Sequence, residues 1–507
     1  MVPVAVAHHR RRRRNRALST YDVIVVGAGP GGLTCAGRLA NWGVRTLLVE
    51  RSEHVGGKAV AGMRDGFRFE LGPKLQVPMR GHAFERLFDE LGISEKLGAI
   101  IPGPSTSAYR RAGSSEWIVT TGEDRERQGD QALTPFELWG LDERQRDAAV
   151  GIMAEMVSLT REQLDELDDV SMQEYLSRFP DVPGPLYNNM GMHANASLAE
   201  PIDRVAASEQ IKIMQQLAAD PGAGYYRGGF GRMLEDIAET FVARGGELRT
   251  GAEVRSIDVD DEHVAGVTTA DATFSAPVVV SDAGIQPTVL KLAGPEHFPS
   301  EYAAYVRALE PGWGWASVRY FLDRKVVDSP MCMFYAEESW YTTERYARVR
   351  NGEEPEDVIV FVTVPSAMDP SMAPPGKECV VAGTICSPDP EAPEIPMLYR
   401  KVDEMMERIF PGFMDSVEHR ATDGPAEVSA HTRDSVVPGA GGECVGIGQV
   451  VGQCGTKKPS PVSPVAGLYF CGADAGSEGM GTHQAGDSGL RVAAMVRDAT
   501  KVRRGSA

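Results

Sequence analysis

Gly27, Gly29 and Gly32 fall at the spacing G-x-G-x-x-G, and a carboxylate, Glu50, closes the next apolar run. These residue types in this order can hold a dinucleotide. The first glycine permits a tight turn, the second lets backbone approach a pyrophosphate, and the third lets a helix pack against a strand. Ala28, Pro30 and Gly31 complete the turn that would face the phosphates. A carboxylate such as Glu50 can accept hydrogen bonds from a ribose, which favours FAD or NAD over NADP. Arg51 follows and could face a phosphate, but the acid beside it argues against a 2′-phosphate.

The elements that must position this turn are legible on both sides. Residues 21–26 are short, β-branched and mostly apolar, as a strand buried on both faces should be. Leu33 to Asn41 predicts a helix with Leu33, Ala36, Leu39 and Ala40 on one apolar face, and Gly43 fits the left-handed residue that closes it. Thr46 to Val49 predicts the next strand, with Glu50 at its end. A glycine turn alone is a weak signal; strand, helix and acid in register make it a strong one. Just beyond, Gly56-Gly57-Lys58 offers a second backbone approach to phosphate, with Lys58 as counter-charge.

Glu50-Arg51, the pair Gly56-Gly57 and the stretch GFRFELGP from Gly66 to Pro73 together resemble the amine-oxidase and phytoene-desaturase class of flavoproteins. The segment PSAMDPSMAPPGK, Pro365 to Lys377, is similar to a loop of phytoene desaturases and carotenoid isomerases rather than of amine oxidases. The helix expected after it, Glu391 to Phe410, ends at Pro411-Gly412 as in that branch. The resemblance runs from Tyr21 to Val496, specific at both ends and looser between. It implies an α/β fold: a Rossmann-like FAD-binding domain of the amine-oxidase type with a discontinuous α+β substrate domain. It implies non-covalent FAD rather than NAD, with a backbone segment matching Val254 lying on the adenine. On this division residues 21–100, 221–300 and 421–500 form the FAD-binding domain, and 101–220 and 301–420 form the substrate or cap domain.

The C-terminal stretch takes its meaning from the same resemblance. GLYFCGAD, Gly467 to Asp474, predicts a buried strand ending in Gly472-Ala473-Asp474, and a helix opens near Thr482. Asp474 is placed to hydrogen-bond a ribityl or pyrophosphate-side hydroxyl. The helix start at Gly481, Thr482, His483 and Gln484 presents unpaired N–H groups and a positive dipole end, which would favour negative charge at the N1/O2 edge of a flavin. Gly479, Gly481 and Gly486 would let backbone touch the ring. Typical desaturases are more apolar here; this chain carries Glu478, His483 and Asp487 near the expected ring. His483 is the candidate catalytic residue, a proton acceptor with a pKa near working pH, although a polar residue at a helix start is the commoner reason for such a histidine.

Between these ends, residues 105–120 read as a hairpin around Gly113, and Pro135 to Ala219 as helices suited to a substrate cap. Ser171 to Glu174 is a capping box whose helix closes at Pro180, and the methionines Met153, Met156, Met172, Met190 and Met192 read as core filling. A helix over Met233 to Ala243 precedes short strands from Gly245 to Gly284, with Val254 mid-strand and Val278 to Ser281 buried. Ser317 to Leu322, Val358 to Val364 and Cys379 to Ile385 predict a second sheet. Arg227, Trp313 and Trp315 are candidates for a pocket wall, with core packing the commoner role for the tryptophans. Gly446, Gly448 and Gly452 are followed by CGTKKPSPVSP, whose prolines forbid the helix that a second dinucleotide site needs.

The chain of 507 residues carries 71 acidic and 52 basic residues, a formal net charge of −19 that repels nucleic acid. Seven cysteines without a C-x-x-C spell neither a disulfide framework nor a zinc site, and a reducing cytoplasm is the plain reading. Arg10 to Arg14 and Arg16 mimic a twin-arginine signal, but the apolar run after them is the first strand; residues 1–20 read as a disordered basic arm and 501–507 as a tail. The resemblance implies hydride transfer between a hydrophobic polyene, isoprenoid or lipid-like substrate and flavin N5. Oxygen or a quinone would be the diffusing acceptor, with contact at a membrane surface. Redox-neutral isomerisation and amine oxidation are the alternatives, and no metal enters.

Overall fold

The computed structural model describes residues 21–71, 81–100, 105–121, 135–219, 224–327, 329–432, 435–475 and 481–505. The arginine-rich residues 1–20, Gly72, Pro73, Glu478, Gly479 and residues 506–507 of the expected tail lie outside them.

Val23–Val26 is buried on both faces because it is the middle strand of a five-stranded parallel sheet. Thr46–Val49 and then Glu247–Arg249 lie on one side of it, Val279–Ser281 and Leu468–Phe470 on the other. Val23 and Val25 pack on a helical layer with Leu33, Leu39 and Phe84, while Ile24 and Val26 pack with Val254 and Ile257 on the opposite layer. Burying such side chains is worth about 1.5–3 kcal/mol each. The helix starts at Pro30, ahead of Leu33, because proline lacks the N–H that a first turn leaves unpartnered. Pro30–Asn41 is buried nearly all round, not on a single face: Gly229–Ala243 packs on one side and the tail helix Gly481–Gly505 on another. Val254 begins the strand Val254–Asp260 of a three-stranded antiparallel sheet; it is not mid-strand.

A second, seven-stranded sheet runs in the order Val417–Asp423, Gly314–Leu322, Glu378–Cys386, Val360–Thr363, Met331–Ala336, Thr106–Arg110 and Trp117–Thr120. Its last two strands are the expected hairpin, with Gly113 at φ +70°. Met156, Met172, Met190 and Met192 are buried in the core beside this sheet, with Met153 at its margin. The capping box is present: Ser171 accepts from the Glu174 amide at 3.2 Å, and Glu174 accepts from the Ser171 amide at 2.9 Å. The helix expected from Glu391 begins at Ile395. Asp369 of the proline-rich loop accepts from the Gly228 amide at 2.8 Å, so that loop pins the second sheet to the helix Gly229–Ala243. Among the described residues no helix is long and apolar enough to cross a membrane.

Candidate active site

The C-terminal edge of the parallel sheet opens into a cavity of about 540 Å³. Gly27, Gly29, Pro30, Glu50, Arg51, Gly57, Lys58 and Val254 line it from the front of the chain; Gly472, Ala473, Asp474, Gly481, Thr482 and His483 line it from the tail. The two groups touch. A Cβ placed on Gly31 would lie 2.7 Å from the Gly472 nitrogen, and one on Gly57 would lie 3.2 Å from Gly29 Cα. Gly27 makes the turn at φ +94°, and a Cβ on Gly32 would strike its carbonyl oxygen. No side chain fits between these turns, so the surface they present is backbone, as a pyrophosphate site at a helix N-terminus requires.

Several expected contacts fall elsewhere. The Ala28 amide does not face the cavity; it donates to Glu50 Oε2 at 2.7 Å, and the Ser52 amide donates to Oε1 at 2.8 Å. Glu50 thereby clamps the glycine turn while staying on the cavity wall. Gly31 and Gly32 serve packing against Gly472 and Gly27. Gln484 is off the wall, accepting from Gln449 Nε2 at 3.3 Å. Asp474 accepts from the Ile285 and Ile447 amides at 3.0 and 2.8 Å, so it ties three segments together at the cavity. Lys58 reaches across to the Val445 carbonyl at 3.0 Å. Gly486 is needed for close packing on Phe84, not for the ring, and Asp487 pairs with Arg86 at 2.5 Å. Arg227 is exposed and off the cavity, Trp313 packs in the core with its ring tilted against Tyr346, 4.5 Å between centroids, and Trp315 lines the cavity instead of the core alone.

His483 is buried on the wall, its Nε2 2.8 Å from the Tyr226 hydroxyl and its ring stacked 4.5 Å from that of His82. Burial, and then the neighbouring His82, hold its pKa well below the ordinary imidazole value. It is therefore a neutral, hydrogen-bonding imidazole, not a group that titrates near working pH. Sequence reading missed Tyr226, and it missed Asp282. The Asp282 carboxyl sits where Cβ atoms on Gly29 or Gly31 would meet it, at 2.6 and 2.7 Å. Burial pushes it up to about 7 against the pull of the Gly32 amide, and Glu50 and Asp474 add to the rise. Its signal was available: like Glu50, it is the acid that immediately follows a buried parallel strand.

Beyond these turns the cavity continues under the second sheet. Phe69, Leu71, Trp315, Phe361 and Val428 make it apolar, and Ser317, Asp423, Glu427 and His431 gather at one part of its wall.

Residues 30–497 match the family described as flavin containing amine oxidoreductase. The chain belongs to this family. It is similar to the chloroplastic prolycopene isomerase of Arabidopsis thaliana, 23% identical over 82% of this chain and 73% of that one. Phytoene desaturase of Fusarium fujikuroi is 26% identical over 71% and 65% of the two chains. The 4,4'-diapolycopene oxygenase of a Methylomonas species is 25% identical over 89% and 93%. Among solved structures, an oxidoreductase from Methanosarcina mazei shares the fold at TM-score 0.68 and 19% identity, covering 93% of this chain and 99% of that one. Putrescine oxidase bound to putrescine does so at 0.67 and 16%, covering 94% and 99%. The protein is an FAD-dependent oxidoreductase of the phytoene desaturase-like branch. Its backbone-only cradle, with Glu50 at the strand end, fits that cofactor.

Proposed function

We propose that the enzyme acts on a hydrophobic polyene or isoprenoid. The observation that carries this reading is the continuity of one cavity from the glycine turns to Phe69, Leu71, Trp315 and Phe361. Bound FAD supplies a hydride acceptor at N5; the chain supplies position and field. Glu50 would hold the ribose, the turn Gly27 to Pro30 and Gly57 with Lys58 would hold the pyrophosphate, and Val254 would take the adenine. The helix start at Gly481 and Thr482, on the cavity wall, would stand at the redox end, where the helix dipole favours negative charge. His483 serves there as a neutral hydrogen-bonding wall held by Tyr226. The parallel and three-stranded sheets form the FAD-binding domain, and the seven-stranded sheet with the helices before it forms the substrate domain.

Oxygen or a quinone would serve as the diffusing electron acceptor, the latter at a membrane surface. Redox-neutral double-bond isomerisation is the second reading, favoured by the similarity to a prolycopene isomerase. The deciding experiment is an anaerobic screen of polyenes, lipids and amines, following the flavin band and analysing products. Bleaching with a polyene, or a rearranged polyene without bleaching, supports the two readings in turn. Bleaching by amines alone overturns both.

A further inference from the structure

Asp282 follows the parallel strand Val279–Ser281, and its amide donates to the Val26 carbonyl at 2.7 Å, which fixes it against the first strand. Its carboxyl lies between the two glycine turns. Oδ2 is 2.6 Å from where a Cβ on Gly29 would stand, and Oδ1 is 2.7 and 2.6 Å from those on Gly31 and Gly472. Asp282 is half-buried, with its open side on the cavity wall beside the N-terminus of the helix Pro30–Asn41. A place built for an anion therefore already holds an acid. The carboxyls of Glu50 and Asp474 face it from the ends of two other strands, as do the thiols of Cys471 and Cys35 and the Gly32 amide. Glu50 and Asp474 each accept from two backbone amides. For Asp282 burial outweighs the Gly32 amide, and its pKa rises to about 7.

We propose that Asp282 is a cofactor-binding residue: in the loaded protein its carboxyl is protonated and donates a hydrogen bond to the pyrophosphate of FAD. The proposal rests on the placement of the pyrophosphate at the turn Gly27 to Pro30, and not on the nature of the substrate. An ionised carboxylate there would repel the phosphates. A protonated one supplies a side-chain donor where the glycine turns have no room for one of their own. The helix end favours negative charge, and Asp282 and the pyrophosphate compete for it. The pyrophosphate does not take up a proton near neutral pH, so Asp282 is the group that gives up its charge. Binding of FAD then draws a proton from solvent wherever the empty site holds Asp282 ionised. By linkage, affinity is level on the acid side of neutrality and falls as pH rises through the pKa of the empty site.

The test dilutes the flavin-loaded full chain and follows the fluorescence of released FAD, which gives the dissociation constant across a range from about pH 6 to pH 8.5. Wild-type affinity is expected to be lower by about thirtyfold at the alkaline end. His54 is a second titratable group on the same wall, so variants decide between the two. Asp282→Asn keeps a donor that needs no added proton. Its affinity should lie within about threefold of wild type at the acid end, stay level with pH, and exceed wild type at the alkaline end. Should Asp282→Asn not fold, His54→Gln decides, and it is expected to keep the wild-type decline. The phosphorus resonances of bound FAD report the contact and should differ between wild type and Asp282→Asn. A wild-type affinity level with pH overturns the proposal. So does a decline that survives in Asp282→Asn or disappears in His54→Gln, and so do phosphorus resonances that Asp282→Asn leaves unmoved. An FAD affinity unaltered in Glu50→Arg overturns instead the placement of the cofactor on which the proposal rests.

Discussion

The two sheets meet at one cavity but build their walls from different material. At the edge of the parallel sheet the wall is largely glycine backbone and the carboxyls of Glu50, Asp282 and Asp474. Under the seven-stranded sheet it is side chains: Phe69, Trp315, Ser317 and Phe361. The first wall has no room for an added atom, because its turns already touch one another. The second is set by which residues a strand points inward, and strands accept different side chains at one position.

Breaking the first wall should cost most. Gly32→Val drives a side chain into the Gly27 carbonyl and is expected to destabilise the protein by at least about 3 kcal/mol. Thermal denaturation of the variant checks this; an unchanged melting temperature would remove the steric argument. Glu50→Arg leaves the Ala28 and Ser52 amides without their acceptor and puts a cation where we propose that the ribose is held. FAD affinity should fall by about two orders of magnitude, seen as a nearly colourless preparation. A wild-type yellow colour in that variant would show that the clamp is not part of the site.

A subtler change at the same wall is electrostatic. Asp282 has its pKa raised in the fold from the ordinary carboxylate value of 3.8 to about 7. The folded state therefore holds this proton more tightly than the unfolded chain. Its contribution is complete below pH 4, falls away as pH rises towards 7, and is constant above. Asp282→Asn should flatten the decline in melting temperature of flavin-free protein between pH 4 and pH 7. Parallel curves for the two proteins would refute the assignment. The smallest effect on the fold is expected at the second wall. Trp315 is only half-buried on the cavity wall, so Trp315→Leu should keep the flavin and destabilise less than Gly32→Val, yet raise KM for the substrate. A variant that lost its flavin would erase the distinction between the two walls.

The glycine turn, its strand, its helix and Glu50 were legible in sequence because they are contiguous and each residue type has a local physical reason. The tail segment was legible as a strand and a helix start, but the partners of its side chains were not. Gln484 and Asp487 looked like cofactor neighbours and instead meet Gln449 and Arg86, one residue buried and the other near the surface. Asp282 was overlooked because a lone acid after a strand carries no spacing motif, although its position repeats that of Glu50.

By itself the sequence determined the local geometry: where the backbone could turn at Gly27, where the first strand and helix lay, and that a carboxylate ended the second strand. Those properties depend on sterics and polarity within a few residues. Only the tertiary structure decided that Gly31 abuts Gly472, that His483 is neutral against Tyr226 and His82, and that Arg319 pairs with Asp423 below Phe69. These depend on strand order and on burial, which arise from contacts between segments hundreds of residues apart and leave no periodic trace along the chain.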